Sequence, residues 1–362
     1  MSLFADFEKK LDSFTLKVAF SVTGGVLALL GASGSGKSMT MQCISGVVKP
    51  DRGRIAIADR TVFDRERRIN LPPQERRTGY LFQNYALFPH MTVYENILVS
   101  VRRSGGRHFR ERTARARDII DRMQLSGVMN SRASEISGGQ MQRTALARIL
   151  VNDADIMMLD EPFSALDEHL RFSMERELRA VIREFGKTVL FVSHNRDEVY
   201  RIADQVAIMN NGIIETRGSV REVFENPGTV NGARLTGIKN IVPATVDNEG
   251  FLMVPGWGIR VPLKVRAGSS GRFPDPARIT AAGMLMNAIG LLPDPGIPGT
   301  RHTFEIAAVT VNLCGFTLEL YNRTVPEPEP LYWEVSRDVW RPGTERVVSL
   351  FIPDQAVTGL MA

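Results

Sequence analysis

Residues 26–38 read Val26-Leu27-Ala28-Leu29-Leu30-Gly31-Ala32-Ser33-Gly34-Ser35-Gly36-Lys37-Ser38, and this stretch decides the fold. Five apolar residues without alternation fit a strand buried on both faces, as in a parallel sheet covered by helices. Gly31–Ser38 then matches the phosphate-loop pattern in full. Its glycines let the backbone curl so that N–H groups point at phosphate oxygens. The helix-compatible segment Lys37–Ser45 adds a positive N-terminal end. On this reading Gly31, Ala32, Ser33, Gly34, Ser35 and Gly36 cradle nucleotide phosphates. Lys37 reaches the β- and γ-phosphates, and Ser38 ligates Mg²⁺.

An aspartate from a neighbouring strand must complete the metal site. Ile156-Met157-Met158-Leu159-Asp160 supplies it. Its four apolar residues suit a buried parallel strand, and Asp160 emerges at the C-terminal edge, where such sheets bind ligands. Glu161 follows directly, placed to position or deprotonate an attacking water. Taken together, these residues predict nucleotide hydrolysis on a parallel sheet.

Outward from these motifs, the first 235 residues alternate apolar strands with amphipathic helices, the signature of βαβ units. Strands are predicted at Val26–Leu30, Tyr80–Phe82, Ile156–Leu159, Val189–Val192 and Gln205–Met209. Helices are predicted at Lys37–Ser45, Arg110–Met123, Gly139–Leu150, Glu168–Phe185 and Arg196–Ala203. Asn210-Asn211-Gly212 reads as a hairpin turn. Thirteen of the 19 prolines follow residue 236, which marks a change of architecture. Pro293-Asp294-Pro295-Gly296-Ile297-Pro298 and Pro326-Glu327-Pro328-Glu329-Pro330 are incompatible with helix interiors. Short runs such as Leu318–Tyr321 and Val347–Ile352 predict a small β-barrel or sandwich there. The expected domains are 1–235 and 236–362.

With 43% hydrophobic and 23% charged residues among 362, the chain is neither disordered nor a disulfide scaffold. No run of about 18 apolar residues exists to span a membrane, and the acid-bearing N-terminus does not read as a secretory signal. The two cysteines, Cys43 and Cys314, read as packing residues of a reducing compartment. Residues 1–235 carry a net charge of +6 and residues 236–362 a net of −1. Much of the excess sits in Arg102, Arg103, Arg107, Arg110, Arg112, Arg115, Arg117 and Arg122. Such a stretch can touch nucleic acid or a membrane surface. Interleaved Glu111, Asp118 and Asp121 make it read instead as a solvated helix face, with no nucleic-acid partner.

Ile136-Ser137-Gly138-Gly139-Gln140-Met141-Gln142-Arg143 resembles the signature sequence of ABC ATPases, and Ser137 precedes Asp160 by 23 residues, as in that family. Ser-Gly-Gly opening a helix is a second anion site. In that family two subunits pair head to tail, and the signature of one caps the γ-phosphate held by the other. The resemblance therefore implies a homodimer in which Ser137, Gly138, Gly139 and Gln140 contact the partner's nucleotide. Gln83, ending Gly79-Tyr80-Leu81-Phe82, looks like the glutamine loop that senses metal and attacking water. Ser164-Ala165-Leu166-Asp167 resembles the loop that communicates across the dimer, with Asp167 near the nucleotide. His194, 33 residues beyond Glu161, matches the switch histidine that contacts the γ-phosphate. The implied fold is the ABC type of phosphate-loop ATPase: a mostly parallel sheet with helices and a helical signature subdomain, followed by a small β-barrel-like domain. The implied cofactors are ATP and Mg²⁺, with Glu161, His194 and Gln83 as catalytic residues and Ser38, Gln83 and Asp160 as metal residues. The family usually stacks adenine on an aromatic residue upstream of the phosphate loop. Here Leu11 occupies the aligned position and Phe14 lies nearby in an alternation with Leu16, Val18 and Phe20. A leucine there forfeits about 1 kcal/mol of ring stacking.

Ala86-Leu87-Phe88-Pro89-His90-Met91-Thr92-Val93, followed by Glu95-Asn96, resembles the importer branch, which serves sugars, polyamines, iron and oxyanions. The resemblance implies a peripheral ATP-binding subunit on the cytoplasmic side of the cell membrane. Its partners would be integral permease subunits and, indirectly, a periplasmic or lipid-anchored binding protein. The short segment before the phosphate loop, Leu11, and Thr236-Gly237-Ile238-Lys239-Asn240-Ile241 look most like molybdate and sulfate importer ATPases. In these a tail domain can bind the oxyanion. Molybdate or tungstate is the expected cargo, with sulfate or other cargo as alternatives. A soluble ATP-dependent DNA or assembly factor is the competing class.

Overall fold

The computed structural model describes residues 2–99, 107–164, 168–263, 276–292 and 296–362, with the backbone alone for 107–112 and 168–170. The expectations at Arg102, Arg103, Ala165-Leu166-Asp167 and Pro293-Asp294-Pro295 lie outside the described residues, as do the side chains of Arg107, Arg110 and Arg112. The chain divides into two compact units, Met1–Glu215 and Thr216–Ala362.

The strands of the first sheet are β1 (Leu3–Lys10), β2 (Thr15–Val22), β3 (Val26–Leu30), β4 (Arg52–Ile57), β5 (Arg60–Asp64), β6 (Ile69–Asn70), β7 (Thr78–Leu81), β8 (Ile156–Asp160), β9 (Thr188–Ser193), β10 (Gln205–Asn210) and β11 (Ile213–Ser219). Their order is β6-β5-β4-β1-β2-β11-β10-β3-β9-β8-β7. β10, β3, β9, β8 and β7 pair in parallel. This is the expected parallel core, and β3, β8 and β9 are buried at every position. The sheet as a whole is mixed, because β2, β1, β4, β5 and β6 extend it antiparallel. The physical reason is visible in β2, where buried and exposed positions alternate. Such a strand packs one face and leaves the other wet, which antiparallel sheets allow.

The helices of this unit are α1 (Lys37–Ser45), α2 (Val93–Leu98), α3 (Arg107–Arg122), α4 (Gly138–Val151), α5 (Glu168–Phe185) and α6 (Arg196–Ile202). α2, α3 and α4 pack on one another. In α3, Ala116, Ile119 and Ile120 are buried while Arg115, Arg117 and Arg122 are exposed, and Arg122 pairs with Asp118 and Glu184. The core gathers Leu27, Leu29, Met41, Ile44, Met158 and Leu190 with the apolar face of the antiparallel strands.

The second unit is β-rich, as its prolines and short apolar runs predict. Among its described residues are two short helices, Val220–Glu225 and Val230–Thr236, and three small sheets. One joins Asn240–Pro243, Ile279–Met284 and Val357–Met361, and another joins Thr245–Val246, Phe251–Val254 and Ile259–Pro262. The third orders Leu331–Ser336, Gly315–Tyr321, Gly299–Val311 and Val347–Pro353. Trp257, Trp333, Phe304 and Leu350 are among its buried core residues.

Candidate active site

The register of the parallel strands brings the predicted residues to one edge. Leu30 lies opposite Ser193, and Asp160 opposite Val192. The chain therefore leaves β3 at Gly31, β8 at Glu161 and β9 at His194 on the same side of the sheet. β7 ends at Leu81, opposite Leu159, two residues before Gln83.

Gly36 is the N-cap of α1 with φ +103°, a conformation that L side chains rarely adopt. A Cβ at Gly36 would also stand 2.9 Å from Leu16, and one at Gly31 would stand 2.5 Å from the Met209 carbonyl oxygen. Both glycines are thus required by close approach. Gly36 brings no side chain to cap the helix, so the first-turn N–H groups of α1 stay available to an anion. Lys37 is buried and donates 2.8 Å hydrogen bonds to the carbonyl oxygens of Gly31 and Ala32. Burial pushes its pKa down, while Glu161 and Asp160 counteract.

Ser38 Oγ donates to Asp160 Oδ1 at 2.9 Å, which brings together two residues that the sequence assigns to the metal. The other oxygen, Asp160 Oδ2, accepts from Tyr80 Oη at 3.0 Å. Tyr80 stacks on Phe82 with ring centroids 4.0 Å apart. Burial raises the Asp160 pKa above the usual aspartate value, and Glu161 adds to the rise. The hydrogen bonds from Ser38 and Tyr80 and the charge of Lys37 oppose it. Tyr80 is held protonated, first by burial and then by the Asp160 charge. Tyr80 is a site residue that sequence reasoning missed. The available signal was its place on the strand that ends just before Gln83.

Glu161 sits in the left-handed region at φ +46°. Its backbone N–H donates to the Val192 carbonyl at 3.0 Å, which carries the β8–β9 pairing one residue further. Its carboxylate lies between two other residues that the sequence assigns to the site. Gln83 Nε2 donates to Glu161 Oε2 at 3.4 Å, and His194 Nδ1 lies 3.1 Å from Glu161 Oε1. Gln83 thus contacts Glu161, which the sequence assigns to catalysis. His194 is 61% exposed and Glu161 only 20%, so the histidine can turn toward a ligand while the carboxylate is held.

Ser137 is the N-cap of α4, as the signature predicts. Its Oγ accepts from the Gln140 N–H at 3.4 Å, and Gln140 Oε1 accepts from the Ser137 N–H at 2.9 Å. Gly138 and Gly139 form the first turn. Phe14 is half-buried in the turn between β1 and β2, where its carbonyl accepts from Leu11 N–H at 2.9 Å. The alternation of β2 begins only at Thr15, so Phe14 is not a buried strand residue. A Cβ on Gly36 would stand 3.6 Å from its ring, which places Phe14 beside the phosphate loop.

A family model described as ABC transporter matches residues 16–164. The chain is 35% identical over 300 residues to the Fe(3+) ions import ATP-binding protein FbpC of Brucella abortus, covering 81% of this chain and 80% of that one. The chain belongs to the ABC transporter family. Within it, the similarity is to ATP-binding proteins of importer type. The trehalose/maltose import ATP-binding protein MalK of Thermococcus litoralis is 38% identical over 232 residues, 63% of this chain. The spermidine/putrescine import ATP-binding protein PotA of Frankia alni is 40% identical over 255 residues, 70% of this chain. The chain spans 62% of the length of the first and 52% of the second. A bacterial ABC transporter cassette solved as a dimer superposes with TM-score 0.52 at 27% identity, covering 61% of this chain and 99% of that cassette. These relatives bear names for iron, sugar and polyamine import, so the comparisons show the importer type and no single cargo. No helix among the described residues is long and apolar enough to cross a membrane, which says nothing of strands.

Proposed function

We propose that this chain is the ATP-hydrolysing subunit of a membrane importer. One observation carries the reading: Ser38 is fixed on Asp160, and beside them Glu161 is bracketed by Gln83 and His194. The oxygen donors Ser38 and Asp160 suit Mg²⁺, which takes few protein ligands and shares the rest with substrate phosphates and water. Ser38 and Asp160 would hold Mg²⁺, which when bound would supply positive charge to neutralise charge developing on the phosphates. Gly31–Ser38 bind and orient the phosphates, with Lys37 moving from the loop carbonyls to phosphate oxygens. Glu161 accepts the proton of the attacking water, and Gln83 and His194 orient that carboxylate. Positioning and fixed charge supply most of the rate.

The unit of function is a homodimer in which Ser137–Gln140 of one chain closes over the nucleotide of the other, with Asp167 contributing at the junction. The dimeric cassette among the relatives supports this, and that cassette has also been solved in a post-hydrolysis state bound to ADP and Pi. Residues 1–235 form the motor and 236–362 a domain that responds to cargo. The motor sits peripherally on the cytoplasmic face of the membrane and pulls on permease subunits near Gln83, with a binding protein delivering cargo from outside. The cargo is an oxyanion, molybdate or tungstate ahead of sulfate, on the strength of Thr236–Ile241 and the short lead into the phosphate loop. Sugar, polyamine and Fe³⁺ are the alternatives that the relatives' names supply.

The test is ATPase activity of the chain assembled with its permease in lipid, with molybdate, tungstate, sulfate, maltose, spermidine or Fe³⁺ added. A response to molybdate or tungstate alone supports the oxyanion reading, and a response to one of the other cargoes replaces it. Absence of ATP hydrolysis under every condition overturns the functional reading.

A further inference from the structure

The loop that follows Gln83 is held in an unusual shape. Tyr85 and Ala86 are consecutive non-glycine residues in the left-handed region, at φ +60° and +45°. Tyr85 N–H donates to the Phe82 carbonyl at 2.8 Å, and Ala86 N–H donates to the Asn84 carbonyl at 2.7 Å. A bond from residue i+2 back to i around a positive φ is a rare and strained turn. Strain of this kind persists only when surrounding groups hold it.

The holding group is Arg148. Its two terminal nitrogens donate to the carbonyl oxygens of Tyr85 at 2.9 Å and Ala86 at 2.8 Å. Arg148 lies on α4, the helix whose first turn is Ser137–Gln140. The far end of the same loop is pinned by Asn96 of α2, which accepts from Phe88 N–H at 2.8 Å and donates to the Phe88 carbonyl at 3.1 Å. α2 packs on α4, so both anchors belong to the helical layer. The near end belongs to the sheet, through Gln83 and its 3.4 Å contact with Glu161. That contact is long for a hydrogen bond and sensitive to small displacement.

We propose that Arg148 is the positioning residue for Gln83, its guanidinium fork transmitting any displacement of α4 to the contact between Gln83 and Glu161. This rests on the ATPase reading of the site. A lysine cannot reproduce it, because a single ammonium does not offer the planar two-nitrogen fork that bridges adjacent carbonyls. Without the fork the turn relaxes and Gln83 moves off Glu161. A misplacement of about 1 Å in such a site costs up to about 100-fold in turnover.

The experiment is a double-mutant cycle in steady-state ATP hydrolysis by the full chain, using Gln83→Ala, Arg148→Ala and the pair. Arg148→Ala is expected to lower kcat with KM for ATP little changed. The pair is expected to be no slower than Gln83→Ala alone, within about twofold. Arg148→Lys runs the same cycle if the alanine variant fails to fold, with a smaller loss expected. Penalties that multiply in the pair would mean that Arg148 acts independently of Gln83, and would overturn the inference. So would normal kcat in both Arg148 variants. If the wild-type chain hydrolyses no ATP, the functional reading fails and takes this inference with it. A wild-type rate that Gln83→Ala lowers and Arg148 does not refutes this inference alone.

Discussion

Arg76 is fully buried and has no carboxylate partner among its described contacts, a costly place for a guanidinium. It is held by four hydrogen bonds: Nε to the Leu71 carbonyl at 2.8 Å, one terminal nitrogen to the Cys43 and Ile44 carbonyls at 2.8 Å each, and the other to Asn70 Oδ1 at 3.0 Å. Cys43 and Ile44 lie in the last turn of α1, where carbonyls run short of helical partners, and the Cys43 carbonyl also accepts from the Gly46 N–H at 3.3 Å. The cation therefore closes the C-terminal end of the helix whose N-terminal end faces the phosphate loop. Burial pushes the Arg76 pKa down to about 10, so the group is charged at neutral pH. Four hydrogen bonds from a charged donor, at about 1.5–3 kcal/mol each, amount to about 6–12 kcal/mol. Desolvating the guanidinium takes back several kcal/mol, so Arg76→Ala should cost about 3–5 kcal/mol. For a unit of this size that lowers the unfolding midpoint by about 6–20 °C. Thermal unfolding of the full chain followed by circular dichroism measures it. Arg76→Lys keeps the charge but not the fork and should fall between variant and wild type. A midpoint within about 2 °C of wild type for Arg76→Ala would refute the claim that this cation holds α1 in place.

Three further outcomes are expected. The folded-state pKa of Asp160 is raised above its unfolded value, chiefly by burial, so its ionisation lowers stability above that pKa and the penalty disappears as pH falls through it. Asp160→Asn should therefore melt no lower than wild type at neutral pH while losing Mg²⁺-dependent ATP hydrolysis, and a clear drop in its midpoint would contradict this. Burial lifts the Cys43 thiol to about 12, and Cys314 is exposed. A thiol reagent at neutral pH should thus modify Cys314 and spare Cys43 until the chain unfolds, as mass spectrometry of the intact chain can read. Gly36→Ala should weaken ATP binding, because its Cβ meets Leu16 at 2.9 Å in a left-handed backbone, and calorimetric titration giving wild-type affinity would count against the loop geometry.

What the sequence disclosed and what it withheld divide along a physical line. The phosphate loop was legible because strand, turn and helix start are contiguous, and α1 and α5 have the predicted ends. Asp160 and Glu161 were legible because a buried parallel strand delivers its C-terminal residue to the ligand edge. Tyr80 was not, since its partner lies 80 positions away and a tyrosine on an apolar strand looks like core. Arg148 was not, because its acceptors are backbone carbonyls, which every sequence supplies. The outer antiparallel strands were missed because β4, β5 and β6 are short, and β4 and β5 open on exposed residues, Arg52, Gly53 and Arg54 in β4 and Arg60 in β5, that weaken an apolar pattern. Phe14 was ambiguous because the β2 alternation extends back through it in sequence, while the strand itself begins one residue later, at Thr15.

The measurement that bears most directly on the central claim is Mg²⁺-dependent phosphate release from ATP by the full chain, wild type against Glu161→Gln. Glutamine keeps the size and both contacts with Gln83 and His194 within reach, and removes the proton acceptor. The predicted result is steady turnover by the wild type and a loss of about 100-fold or more in the variant, with ATP still bound. Turnover by Glu161→Gln within about twofold of wild type would contradict the assignment of Glu161 as the group that activates water.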